Sequence, residues 1–356
     1  MRPFVHNALP ARVIFGSGTS KTAVAEELKR LGCKRALIVT APRKDEAEVI
    51  LNALPKELVA GMYANATMHT PEDVTADALK YAEEVSADCA IAVGGGSAVG
   101  LAKALALQSN GRIKQIAVPT TYAGSEATSI LGQSKDGVKT TQRTLTVLPQ
   151  TIVYDVDLTL ELPAQMTITS GMNAIAHAVE ALYATECSPL IEVMALQGIE
   201  SLAKALPILS QDLKNKEARS DALYGAWTCG TCLGAVNMSL HHKLCHTLGG
   251  SFDLPHAEVH TVILPHATAY NTPYAKEAMA KIAKIFGGNV TAAQGLYDLA
   301  KNNGAPYSLK ELGMKEEDLE KAADIAAKSP YPNPAPLERE KLLQLLRNAY
   351  EGVRPE

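Results

Sequence analysis

No stretch of this chain is apolar for long enough to span a bilayer, and its first residues, "MRPFVHNALPARVIFG", lack the continuous apolar core of a secretion signal. No membrane partner is expected, and the chain reads as cytoplasmic. Clustered Lys and Arg are absent too. With a formal net charge of −4, the chain lacks the cationic surface that general affinity for nucleic acid needs. Cysteines are few: six in 356 residues, scattered through apolar or helical segments, which favours reduced thiols over a disulfide framework. The one close pair, "CGTC" at Cys229 to Cys232, has redox or zinc spacing. A zinc site would need a second pair and a redox motif a preceding strand, so these read as packed core thiols.

What is present is ordinary globular sequence, 47% hydrophobic and 20% charged, long enough for two domains. From Ala11 to about Asp157, short β-rich runs alternate with helical stretches, as a parallel sheet flanked by helices requires. The strands expected are 12–16, 35–40, 58–63, 89–95, 115–120 and 150–155, most of them nearly continuously apolar, as strands covered on both faces are. Before the helix "PEDVTADALKYAEEV", Thr70 is placed to cap, with Pro71 in the first turn. The polar stretch 132–144 reads as a hairpin or surface loop. After Pro163 the grain changes to long segments of helical period, among them 170–184, 189–206 and 337–353. The expected organisation is an α/β dinucleotide-binding domain over 1–160 and an all-helical domain over 161–356.

Two motifs carry chemistry. "VGGGSAVGLAKALAL" follows an apolar strand and opens a helix near Ser97, where glycines let backbone approach a pyrophosphate and the helix N-terminus favours an anion. Gly94 and Gly96 fit the dinucleotide fingerprint, but Gly100 arrives one residue late. A second small-residue turn, "PTTYAGSEAT", follows the next strand and is placed to close over the same ligand with its hydroxyls. The other motif is "HHKLCHTLGGSFDLPH", with four of the chain's nine histidines. His242 and His246 stand one helical turn apart on one face, while His256, beyond Gly249, Gly250 and Pro255, is expected from a turn. Asn173 and His177 share a face in the same way.

Phe15-Gly16-Ser17-Gly18, Gly94-Gly95-Gly96-Ser97, Pro119-Thr120-Thr121 and the histidine pattern together resemble the iron-containing alcohol dehydrogenase superfamily over essentially the whole chain. The resemblance implies a dehydroquinate synthase-like fold, a Rossmann-like sheet and a helical second domain. It also implies NADH or NADPH held by Gly94, Gly95, Gly96, Ser97, Thr120 and Thr121, with Ala41 where many relatives carry an Asp for the ribose. The superfamily's metal positions, an Asp and three His, fall on Asn173, His177, His242 and His256, so the only carboxylate ligand is here an amide and no metal is expected. His246 corresponds to a position beside the nicotinamide.

Within that superfamily the motifs look most like the branch that reduces the carbon–carbon double bond of maleylacetate to 3-oxoadipate in aromatic catabolism. That implies a small dicarboxylate substrate and a homodimer. Lys243, about 100° around the helix from His242, and Tyr122 are candidates for contact with the substrate, and a solvated lysine fits the first equally well. Glu180, on the face of Asn173, suits capping or pairing as well as catalysis. His241, His260 and His266 read as surface or packing residues. The competing readings are a metal-dependent alcohol dehydrogenase and a non-catalytic nucleotide-binding protein. A lyase of the dehydroquinate synthase type would show a zinc-binding Glu and several phosphate-clamping cations, which the sequence lacks.

Overall fold

A computed structural model describes residues 4–6, 8–9, 11–135, 138–328 and 331–356. The chain divides into two compact units, Ala8–Leu162 and Pro163–Glu356, the latter joined by Met1–Asn7. Among the described residues no helix is long and apolar enough to cross a membrane.

The first unit is built on a six-stranded parallel sheet in which all six expected strands are present: β1 (Arg12–Gly16), β2 (Ala36–Val39), β3 (Val59–Tyr63), β4 (Cys89–Gly94), β5 (Lys114–Pro119) and β8 (Thr151–Asp155). Their order is β1-β8-β5-β4-β2-β3. Burial explains the order. β2 and β8 are buried at every position and β4 and β5 at nearly every one, whereas β1 and β3, at the edges, are half-exposed. Side chains alternate between faces. Ile38, Ile91, Val93, Ile116 and Val153 build one layer of core, and Leu37, Val39, Ala90 and Ala92 build the other. The stretch 132–144 forms antiparallel strands, β6 (Ile130–Lys135) against β7 (Val138–Arg143); residues 136–137 lie outside the described residues.

Helices α1 (Ser20–Leu31), α2 (Asp45–Ala53), α3 (Glu72–Glu84) and α4 (Gly96–Gln108) cover the sheet. The start of α3 differs from expectation. Pro71 is its N-cap and no side chain caps it; Thr70 instead takes a left-handed φ of 47° beside Gly100, a conformation from which it cannot cap.

α4 contains a feature that periodicity does not reveal. The Lys103 side chain is buried, and its ammonium donates to the carbonyls of Ser125, Thr128 and Ile130 at 2.6–2.8 Å and to the Thr128 hydroxyl at 2.9 Å. It ties the helix that follows the glycine turn to the loop that follows β5. Burial takes its pKa down to about 7, against the pull of nearby Glu126. Glu126, itself pushed up by burial, accepts from the Tyr154 hydroxyl at 2.9 Å.

The second unit is helical: α5 (Ala164–Tyr183), α6 (Pro189–Gln211), α7 (Lys216–Ala235), α8 (Leu240–Phe252), α9 (His256–Asn271), α10 (Lys276–Ile285), α11 (Ala292–Asn302), α12 (Leu319–Lys328) and α13 (Arg339–Glu351). Its centre is α5, buried without interruption from Thr167 to Leu182. A helix with no solvent face needs close neighbours. Gly171 admits Leu206 of α6, and Gly198 and Gly225 let α6 and α7 approach to backbone contact. Cys229 and Cys232 are buried thiols in α7, Cys232 raised to about 12 by burial.

Replacing Lys103 with Met would leave the carbonyls of Thr128 and Ile130 without this donor, while that of Ser125 keeps the N–H and hydroxyl of Thr128, at a cost of about 1–3 kcal/mol for each unsatisfied group. Lys103→Met is expected to lower the unfolding free energy by at least about 2 kcal/mol; urea unfolding followed by circular dichroism measures it. A loss below about 1 kcal/mol would mean that the loop does not depend on this ammonium.

Candidate active site

In the sheet unit, the turns expected to hold a nucleotide lie at the carboxyl ends of neighbouring strands. β4 and β5 run side by side, and β2, which leads to Ala41, pairs with β4 on its other flank. The strand order reverses between β2 and β4, the kind of position where open α/β sheets bind ligands. Gly94 has φ 137°, closed to other residues, and its carbonyl accepts from the Thr120 N–H at 3.0 Å. A Cβ on Gly95 would stand 3.0 Å from the Thr121 side chain. The two turns therefore touch. Gly96, the first residue of α4, is exposed, and Ser97 is half-buried behind it.

Asp155 fixes the stretch Phe15-Gly16-Ser17-Gly18 at the end of β1, accepting from the N–H groups of Gly18 (2.7 Å) and Ser20 (2.9 Å). Tyr122, by contrast, is fully buried and offers a ligand no surface. Arg43, beyond Ala41, is paired with Asp45 at 2.9 Å.

In the helical unit, packing aims the histidines. On α8, Leu240, Leu244 and Leu248 form a stripe in a core shared with Val259, Ile263, Leu342 and Leu346. Docking that stripe turns His242 and His246 to the opposite side. α5 contributes His177 and Glu180 to the same cluster, with Asn173 one turn before His177 on that helix, and α9 contributes His256 and His260. His242 is the hub. Its ring centroid lies 5.1 Å from His177, 5.0 Å from His241, 4.9 Å from His260 and 6.2 Å from His246, and the ring of His256 lies 4.3 Å from that of His260, tilted by 57°.

His177, Asn173 and His242 are buried, His256 half-buried and His246 exposed. His256 is the first residue of α9 rather than part of a turn; Gly249 and Gly250 lie inside α8, and Asp253, with φ 53°, ends that helix. Lys243 lies 5.8 Å from the Tyr331 ring centre, a cation–π position, and is half-buried.

Glu180 pairs with the cluster. Fully buried, it accepts from His242 Nδ1 at 2.7 Å, from the N–H groups of Ser239 (2.8 Å) and His241 (2.9 Å), and from the Tyr183 hydroxyl at 3.2 Å. Burial alone would raise its pKa. The hydrogen bond from His242, the electrostatic pull of His242 and His241 and the Ser239 N–H together outweigh burial and bring the carboxyl to about 2.

His241, His260 and His266 are packing residues and not surface ones, all of them buried. The first two pack against His242, and His241 Nε2 donates to the His260 carbonyl at 2.9 Å. Burial lowers His241 and His266 to about 4 and carries His177 and His260 well below their ordinary value. Asn173 Oδ1, His177 Nδ1, His242 Nε2 and both ring nitrogens of His260 are buried atoms with no hydrogen-bond partner.

These features coincide with one family. Residues 10–156 match the model of the iron-containing alcohol dehydrogenases, and residues 167–350 match the C-terminal model of the Fe-containing alcohol dehydrogenase family. The chain belongs to the iron-containing alcohol dehydrogenase family. It is 51% identical to a maleylacetate reductase of Burkholderia cepacia over 356 residues and 49% identical to one of Rhizobium sp. (strain MTP-10005) over 357 residues, each covering all of both chains. The crystal structure of maleylacetate reductase from Agrobacterium tumefaciens superimposes over the full length of both chains, at 49% identity and a TM-score of 0.95.

Iron names the family, yet the residues at the expected metal positions fit a divalent cation poorly. Every donor there is neutral, and the one nearby carboxylate, Glu180, lies behind His242 and is occupied by it. Among the described residues, the histidine, cysteine and acidic groups whose donor atoms gather within 4.8 Å are His241–Cys245–His260 and Glu180–His241–His242; His177 and His256 are in neither.

Because these buried histidines are neutral in the fold, the unfolded chain binds more protons below pH ~6.5, and stability falls as pH drops from there towards 4. A histidine whose folded pKa is about 4 contributes on the order of 2 kcal/mol to that loss at pH 5. Urea midpoints at pH 7 and pH 5 are expected to differ accordingly, and equal midpoints would place these rings in water.

Proposed function

We propose that the chain reduces the carbon–carbon double bond of maleylacetate with NADH or NADPH, giving 3-oxoadipate without a required metal. The observation that carries this reading is identity at about half of all positions, end to end, with proteins named maleylacetate reductase. The alkene of the substrate is conjugated to a ketone. A hydride from the dihydronicotinamide adds to the carbon β to that ketone, the π electrons move onto the ketone oxygen as an enolate, and a proton then completes the new C–H bond at the α carbon. An isolated carbonyl gains much from a Lewis acid, whereas a delocalised enolate is served by positioned N–H donors.

The buried, unpartnered ring nitrogens of His177, His242 and His260 suit that role in their N–H forms, whereas the Oδ1 of Asn173 can only accept; His256 stands beside them, and His246 positions the ring or relays a proton. His177, kept uncharged by burial, offers one N–H and one bare nitrogen. Lys243 is the candidate cation for one substrate carboxylate.

The glycine turn, with Ser97, Thr120 and Thr121, suits the pyrophosphate. Ala41 at the end of β2 neither repels a 2′-phosphate nor binds the 2′-hydroxyl, and the charge of Arg43 is partly offset by Asp45. Tolerance of both cofactors follows.

Turnover with maleylacetate is expected to survive exhaustive chelation, with label from deuterated cofactor appearing on the former alkene. A tightly held metal needed for activity, or label on a carbinol carbon, would select carbonyl reduction instead. A preference for NADH above about a hundredfold in kcat/KM, roughly 2.7 kcal/mol, would reveal a group that discriminates. Gly96→Asp is the clean probe of the glycine turn, because a Cβ there meets only the Ala123 methyl group, at 4.0 Å. The added carboxylate would repel the pyrophosphate from the helix N-terminus. NADH affinity is expected to fall at least about a hundredfold with the thermal midpoint unchanged, and unchanged affinity would remove this turn from the site.

A further inference from the structure

We propose that Glu180 is a positioning residue for the reaction: its carboxylate takes the Nδ1 proton of His242, fixes the ring's tautomer and leaves Nε2 as the only nitrogen through which His242 meets the substrate or exchanges a proton. The inference rests on the reductase reading for its kinetic arm and on the geometry of the resting protein for its spectroscopic arm.

Three observations lead to it. The contact is short, 2.7 Å from His242 Nδ1 to Oε2, and both groups are buried, so water does not compete for it. The carboxylate cannot swing away: its oxygens also accept from the N–H groups of Ser239 and His241 and from the Tyr183 hydroxyl. Those two N–H groups belong to the first turn of α8, whose own N-cap, Ser239, spends its hydroxyl on Pro332 and Asn333. One carboxylate from α5 thus caps α8 and orients the imidazole three residues into that helix. At the far end of the ring, Nε2 is buried and has no partner in the protein. An imidazole with Nδ1–H engaged presents a bare Nε2 when neutral and an Nε2–H when charged, and in both states the far nitrogen is the reactive one. The second acceptor near Nδ1, His241 Nδ1 at 3.3 Å, reinforces the same tautomer, because His241 donates through its Nε2.

Glu180→Gln removes the charge and keeps the shape. Oε2 accepts from both His242 Nδ1 and the Ser239 N–H, so an NH2 group at that position would face Nδ1 as a donor and invert the tautomer, placing the proton on Nε2, while the amide oxygen keeps the His241 N–H. A misset tautomer in a carboxylate–histidine pair costs up to about 10⁴-fold in kcat.

The experiment uses the full-length protein with 15N-labelled histidine. In the wild type, the His242 resonances, assigned by their loss in His242→Ala, are expected to show the Nδ1–H pattern, and in Glu180→Gln the Nε2–H pattern. With maleylacetate, Glu180→Gln is expected to lose at least a hundredfold in kcat, with NADH affinity within a factor of two or three and the thermal midpoint within a few degrees. Adding Glu180→Gln to His242→Ala is expected to cost nothing further, since the residue acts through that ring. Glu180→Asp, which keeps the charge, is expected to keep the Nδ1–H pattern and recover part of the rate; if Glu180→Gln does not fold, an Nε2–H pattern in the wild type is the result that overturns the proposal. An unchanged tautomer in Glu180→Gln, a kcat within threefold of wild type, or a full additional loss in the double variant would each overturn the proposal. If the wild type fails to turn over maleylacetate, the substrate reading falls while the tautomer measurement still decides the role of Glu180.

Discussion

A helix buried on every side must satisfy each polar side chain it carries from within the protein, and α5 carries Asn173, His177 and Glu180 over two turns. This constraint organises the helical unit. Glu180 is satisfied by the start of α8 and by His242, so α8 is held at the height and rotation that bring His242 beside His177. The leucine stripe on the back of α8 supplies the adhesion, and the carboxylate supplies the registration. What α5 does not satisfy is equally informative. The oxygen of Asn173 and Nδ1 of His177 are left for something other than protein, in a region where an unmet polar atom is costly. A structural core would have closed around them; a binding site leaves them open.

The amide at position 173 shifts the electrostatic balance of that opening. A carboxylate there would place a second buried negative charge one turn from His177, on the same helix as Glu180, and a cation would be its natural counterpart. With Asn173 the helix presents a single buried carboxylate, and a histidine already faces it. The unpartnered atoms beside it, on Asn173, His177 and His260, are neutral, which suits a transition state whose negative charge is spread over several atoms.

Much of the fold was legible because it rests on period. Six nearly continuous apolar runs became the parallel strands, and the glycine turn sat between strand and helix where its sequence placed it. The polar stretch 132–144 became a pair of antiparallel strands for the same reason, since its residues suit an exposed, twisted ribbon. The misreadings share a cause, which is that side-chain partners far apart in sequence leave no local signal. Thr70 looked like a cap until its backbone adopted a left-handed conformation. His241 and His260 looked ordinary because their neighbours come from different helices. Lys103 left one trace, a lone charge in the apolar run "LAKALAL", which marks either a solvent edge or a buried cation. Glu180 was visible as the third residue of a helical face, but its bond to His242 spans 62 positions.

The oxygen cage around Lys103 has a consequence for the chemistry of its surroundings. Three carbonyls and a hydroxyl converging at 2.6–2.9 Å form the kind of coordination shell that loops elsewhere close around a potassium ion. Here the cation is tethered by four methylenes to the helix that follows the glycine turn, so it cannot be exchanged, diluted or replaced by sodium. The shape of the loop after β5 is thereby insulated from the metal ions of the medium, and with a pKa of about 7 it is the proton alone that can discharge the tethered cation.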